Sequence, residues 1–184
     1  MVQPSSQPID PLKIFEQAHG FYQALAILCN VEPGNTQLAV TIGEPVMVIG
    51  AFTIELFLKC LICIETGPLP RRVHHLRELF DELSPAIQTR IEKEWDKIVE
   101  HHAEVWDGFE RSLGITMARD LRSALAAGGD AFQRIRYSYE GGNESLQFYL
   151  QDLPRALGRI ILEVKPEWTG HERDYRLLPG SHNG

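Results

Sequence analysis

From Asp10 onward, apolar residues recur every three or four positions: Ile14, Ala18, Phe21, Leu25 and Leu28 share one helical face. Asp10 and Pro11 supply the N-cap and first-turn proline that open such a helix, which the spacing predicts to run to about Asn30. Residues 31–43, "VEPGNTQLAVTIG", read as a connecting loop with a short extended piece at "LAVTI". The next stretch, "GAFTIELFLKCLICIETG", is apolar almost all the way round and predicts a second helix ending at Gly67.

"PLPRRV" follows as a stiff turn, because neither proline fits a helix interior. "HHLRELFDEL" then sets Leu76, Leu79, Phe80 and Leu83 on one face. Ser84 and Pro85 read as the cap and first turn of an amphipathic helix with Ile87, Ile91, Trp95 and Ile98 on its stripe. "TMARDLRSALAAGGDAFQRIRYSYEGG" reads as helix, Gly-Gly break, helix. "NESLQFYLQDLPRALGRIILEV" reads as a last helix capped by Asn143 and kinked at Pro154. Strand signals are nearly absent, so the pattern predicts an all-α, antiparallel up-down bundle of about five to seven helices. Residues 1–9 and 165–184 read as a disordered N-terminus and a flexible tail around one domain over 10–164.

The apolar run from Val46 to Ile64 has the ~20-residue length of a membrane span, but Glu55 and Lys59 would each cost roughly 2.5 to 3.5 kcal/mol near its centre. A buried core helix is expected instead. With 43% hydrophobic and 23% charged residues the chain has an ordinary globular composition, and its net charge of -7 opposes nonspecific attraction to nucleic acids or acidic membranes. Three cysteines are too few for a disulfide framework and the first residues do not resemble a signal peptide, so a cytoplasmic protein is expected.

Candidate chemistry gathers in three places. On a helix, Glu55 and Lys59 share a stripe with Val48, Phe52 and Ile62, either as an ion pair that fixes helix packing or as part of a polar pocket. Arg134, Arg136, Tyr137 and Glu140 crowd into "RIRYSYE", where an arginine fork beside tyrosine rings suits a phosphate or a base. Between 111 and 136 there are five arginines against two aspartates, a local positive excess, unless these arginines pair with the acidic helix bearing Glu92, Glu94 and Asp96. The doublets His74-His75 and His101-His102 lack a metal-ligand spacing, and Cys60-x-x-Cys63 lies mid-helix, where buried thiols are expected; no metal or cofactor is expected.

"AFTIELFLKCLI", a proline-bearing turn and "HHLRELFDEL" together resemble the HEPN (higher eukaryotes and prokaryotes nucleotide-binding) superfamily. Ala51, Glu55, Leu58, Lys59, Leu61 and Ile62 match its A-x-x-x-E-x-x-L-K-A-L-L helix. His74, Leu76, Leu79, Phe80 and Leu83 match its G-H-D-L-x-x-L-F-x-x-L segment, with His75 in place of Asp, and "IRYSYE" is similar to a downstream Arg-Tyr segment. The resemblance covers about residues 44–140. It implies an often dimeric bundle in a superfamily that includes nucleotide-binding or noncatalytic members and metal-independent RNases of toxin-antitoxin and phage-defence systems. The RNases share an R-x(4-6)-H motif, matched here only by Arg176 and His182 in the C-terminal tail. His74 and Arg136 are the candidates for a split substitute of that pair, and Glu55, Lys59, His74, Arg134, Arg136, Tyr137 and Glu140 are the ligand-binding candidates. A nucleotide or RNA, a second copy of the chain and another protein are the partners implied.

Overall fold

A computed structural model describes residues 9–30, 36–67, 73–114, 116–129, 135 and 152–171. Among them are six α-helices and no strand: α1 (Pro11–Cys29), α2 (Thr36–Thr66), α3 (Leu76–Asp81), α4 (Pro85–Leu113), α5 (Leu121–Gly129) and α6 (Leu153–Val164). The all-helical class expected from periodicity is the one observed.

Local chemistry explains most of the boundaries. Asp10 caps α1 by accepting the Leu12 N–H at 3.0 Å, ahead of Pro11. Ser84 caps α4 in the same way, its Oγ accepting the Ile87 N–H at 3.4 Å. Glu65, in the last turn of α2, accepts both the backbone N–H and the hydroxyl of Ser84, so the start of α4 is tied to the end of α2. Gly67 and Gly114 stop α2 and α4 at φ of 82° and 64°, a left-handed conformation that favours glycine.

Two expectations need correction. Residues 36–43 are helical, where a loop and an extended piece are predicted, so α2 has 31 residues with Pro45 inside it. Their β-branched residues bias the chain toward strand, but by at most about 0.7 kcal/mol each, and lengthening an existing helix needs no new nucleus. Pro154 stands in the first turn of α6, which Asp152 opens, rather than at a kink, since a proline there displaces no helical hydrogen bond. The predicted cap Asn143 lies outside the described residues. Packing also continues past Val164: Pro166–Trp168 form a short 3₁₀ turn whose Trp168 is buried, its ring 5.6 Å from that of Phe15.

Helix α2 occupies the centre, with α1, α3 and α6 packed on it. Cys60 Sγ donates to the Pro11 carbonyl at 3.4 Å and Leu25 lies over Gly50, so α1 and α2 run antiparallel. Ile54, Phe57, Leu58 and Leu61 of α2 are buried against Phe15 of α1, Leu79 and Phe80 of α3 and Leu157 and Ile161 of α6. Each such side chain contributes about 1.5 to 3 kcal/mol on leaving water. Thr41–Thr66 is long and apolar enough to cross a bilayer by length and composition, yet 61% of its most apolar stretch is buried within the fold. Helix α4 brings Ile91, Trp95 and Trp106 to the same core, and the Trp95 indole N–H donates to the Arg119 carbonyl at 2.8 Å.

Candidate functional site

Glu55 and Lys59 lie one turn apart on α2, and Lys59 Nζ reaches Glu55 Oε1 at 2.6 Å. Both side chains are mostly withdrawn from solvent, 13% and 14% exposed, so the pair sits at the rim of the core. The burial of Leu76, Leu79 and Phe80 fixes α3 against α2, and the residues entering α3 are thereby carried back over the middle of α2. His74 arrives there with Nδ1 2.9 Å from the same Glu55 oxygen. One carboxylate oxygen thus holds an ammonium on one side and an imidazole on the other, while His74 itself is 72% exposed.

This arrangement brings together three of the expected site residues. Glu55 orients the imidazole, Lys59 neutralises Glu55, and the exposed ring edge of His74 is free to meet a molecule from solution. Arg134, Arg136, Tyr137 and Glu140, like Arg176 and His182, lie outside the described residues. His75 points elsewhere, its Nδ1 close to Gly129 at the end of α5, and opens α3 as its N-cap residue.

Of the arginines that precede the Arg134 segment, Arg119 and Arg122 are engaged with carboxylates, and Arg111 donates to the Asp107 carbonyl at 3.0 Å. Arg119 reaches Asp107 at 2.6 Å and Glu110 at 2.9 Å, and Glu110 also accepts the Met117 N–H at 2.7 Å. These bonds close the α4–α5 connection. They hold the Glu110 carboxyl below its ordinary range, the Met117 N–H contributing most and Arg119 next. Arg122 pairs with Asp81 and Glu92 and lies over the Phe80 ring at 4.9 Å. Of the acidic residues expected to meet these arginines, Glu92 does so through Arg122, whereas Glu94 pairs with Arg159, outside that segment.

Among the described residues no group of three or more His, Cys, Asp or Glu side chains is placed to hold a metal ion. The thiols of Cys60 and Cys63 are buried and donate to backbone carbonyls, Cys63 Sγ to Gly67 at 3.1 Å. Burial, and secondarily the neighbouring Cys63, pushes the Cys60 thiol up to about 12, which removes it from nucleophilic chemistry near neutrality.

A second polar constellation escapes sequence reasoning. Glu94, Lys97, His101 and His102 of α4 face Asp152, Arg155 and Arg159 at the start of α6 across an open cleft of about 400 Å3. His102 Nε2 lies 2.7 Å from Asp152 Oδ2, with the imidazole stacked parallel to the Trp106 ring. The only signal in the sequence is the three-and-four spacing of charges on each helix; their facing each other depends on how α4 and α6 pack. Compared with protein-family models, with curated proteins and with solved structures, the chain gives no significant match in any of the three.

Proposed function

We propose that this chain is a HEPN-like, up-down helical domain that binds a nucleotide or RNA through Glu55, Lys59 and His74, with Arg134, Arg136, Tyr137 and Glu140 as the further ligand-binding candidates. The observation that carries this reading is the exposed imidazole of His74 held by a nearly buried carboxylate, itself clamped by an ammonium. A histidine with a purely internal role has no need of 72% exposure, and a carboxylate-oriented imidazole at a surface is suited to a phosphate oxygen. A cytoplasmic location, a homodimer and a toxin-antitoxin or phage-defence setting belong to the same reading. Nucleotides and single-stranded RNA titrated into the purified protein should raise its melting temperature, and His74→Ala and Arg136→Ala should each abolish the rise. No ligand response, or a response that survives both changes, overturns it.

A second reading is favoured by the mutual satisfaction of Glu55 and Lys59 at the rim of the core. In it the chain is a noncatalytic interaction module and the polar cluster fixes helix packing. Glu55→Gln and Lys59→Met then change stability or oligomeric state, as seen by size-exclusion chromatography and melting, while no nucleotide has any effect. RNA cleavage without metal that is lost in both His74→Ala and Arg136→Ala would make the surface that of an RNase.

A further inference from the structure

The cleft between α4 and α6 is built from opposite charges with unequal access to solvent. Its two carboxylates are tucked in, Glu94 at 18% and Asp152 at 25% exposure, while Lys97, Arg155 and Arg159 are 69%, 73% and 56% exposed. Each carboxylate holds two partners at its base: Glu94 meets Lys97 at 2.7 Å and Arg159, and Asp152 meets the His102 imidazole at 2.7 Å and Arg155 at 3.7 Å. Arg155 is further positioned by Tyr22 of α1, whose hydroxyl accepts its Nε–H at 3.2 Å. Three formal cations and two carboxylates line the cleft, and Arg159 also reaches Glu163 at 3.9 Å outside the lining, so what sets the cations apart is their exposure.

We propose that this cleft binds a small phosphomonoester, with the phosphate held by Lys97, Arg155 and Arg159. A guanidinium offers five N–H donors in a fork that matches two phosphate oxygens, and these two guanidiniums are exposed to solvent along much of their length. His101, exposed at the rim, and His102, fixed by Asp152, add donors when protonated. About 400 Å3 exceeds what a phosphate group fills, and Ile98 and Ala156 give the carbon portion of an ester an apolar wall. The site is distinct from the Glu55–His74 cluster and stands or falls apart from it.

The test is isothermal titration of ribose 5-phosphate and inorganic phosphate into the full chain, with neutral ribose as control. Both phosphates should bind and ribose should not, and Arg155→Gln and Lys97→Gln should each weaken binding at least tenfold while Lys93→Gln, exposed on α4 outside the cleft lining, leaves it unchanged. Arg159→Gln should do the same, and because that residue also ties α6 to Glu94, the two more exposed variants decide if it fails to fold. Circular dichroism confirms that each protein tested is folded. No phosphate binding by the folded wild type, or binding indifferent to both Arg155→Gln and Lys97→Gln, overturns the proposal. So does an RNA oligonucleotide that binds through these residues where ribose 5-phosphate does not.

Discussion

His74 Nδ1 stands 2.9 Å from Glu55 Oε1, two residues 19 positions apart in the chain that meet because α3 folds back on α2. The same oxygen holds Lys59 at 2.6 Å, so Glu55 serves two partners, an ammonium and an imidazole, from a nearly buried position. Removing its charge leaves the Lys59 ammonium in a poorly solvated place with only a neutral amide to face. Glu55→Gln should therefore destabilise the fold by about 1 to 2 kcal/mol, less than a fully buried ion pair would lose. His74→Ala, at an exposed position, should stay within about 0.5 kcal/mol of wild type. Urea unfolding midpoints of the two variants check both values, and equal midpoints would deny Glu55 its bridging role.

The centre of the core is expected to be intolerant of truncation. Phe57 is fully buried on α2 with its ring centroid 6.2 Å from that of Phe15 on α1. Phe57→Ala should cost about 3 to 5 kcal/mol through lost burial and the cavity left behind. A melting curve close to wild type would mean that this side chain is not where α1 and α2 join.

The loop between α4 and α5 should be acid-sensitive through Glu110. Because the Met117 N–H and Arg119 lower the carboxyl's folded-state pKa, the unfolded chain takes up the proton first as pH falls. The stabilisation is fully present above the ordinary value of 4.5 and is lost as pH falls below it toward the folded-state value. Melting temperatures of wild type and Glu110→Gln should differ by a constant amount at neutral pH and converge in acid. A difference that persists unchanged at pH 3 would assign the effect to another group.

Thiol reactivity should separate the three cysteines. Cys29 is exposed, whereas Cys60 and Cys63 are buried. A disulfide reagent at pH 8 should label Cys29 in the native protein and the other two only after unfolding. Cys60 also limits alkaline stability: its pKa is raised from 9.0 to about 12, so stability is fully present below 9 and declines as pH rises toward 12. Rapid native labelling of all three thiols would show that α1 does not cover Cys60 and Cys63.

Much of the helical frame was legible because its signals are local. Asp10 with Pro11, Ser84 with Pro85, and the glycine at 67 each mark a boundary by chemistry contained within a few residues. The first turns of α2 were not legible, since Val40, Thr41 and Ile42 lean toward strand and only continuity with the rest of the helix outweighs that leaning. The Glu55–Lys59 pair was readable from a spacing of four, and His74 joined it through the family resemblance rather than through spacing. The cleft at Asp152 and His102 was not readable, because its members are 50 residues apart and no periodicity within one helix reports what faces it.

Because, among the described residues, α1, α3 and α6 all rest on α2 while α4 packs mainly against α6, the helices are not equivalent in how they can come apart. No motion frees the amides of Ile54 to Leu61 without parting α2 from several neighbours at once. In deuterated water those amides should be the last to exchange, at the rate of global unfolding, and the cleft beside α4 should breathe long before them.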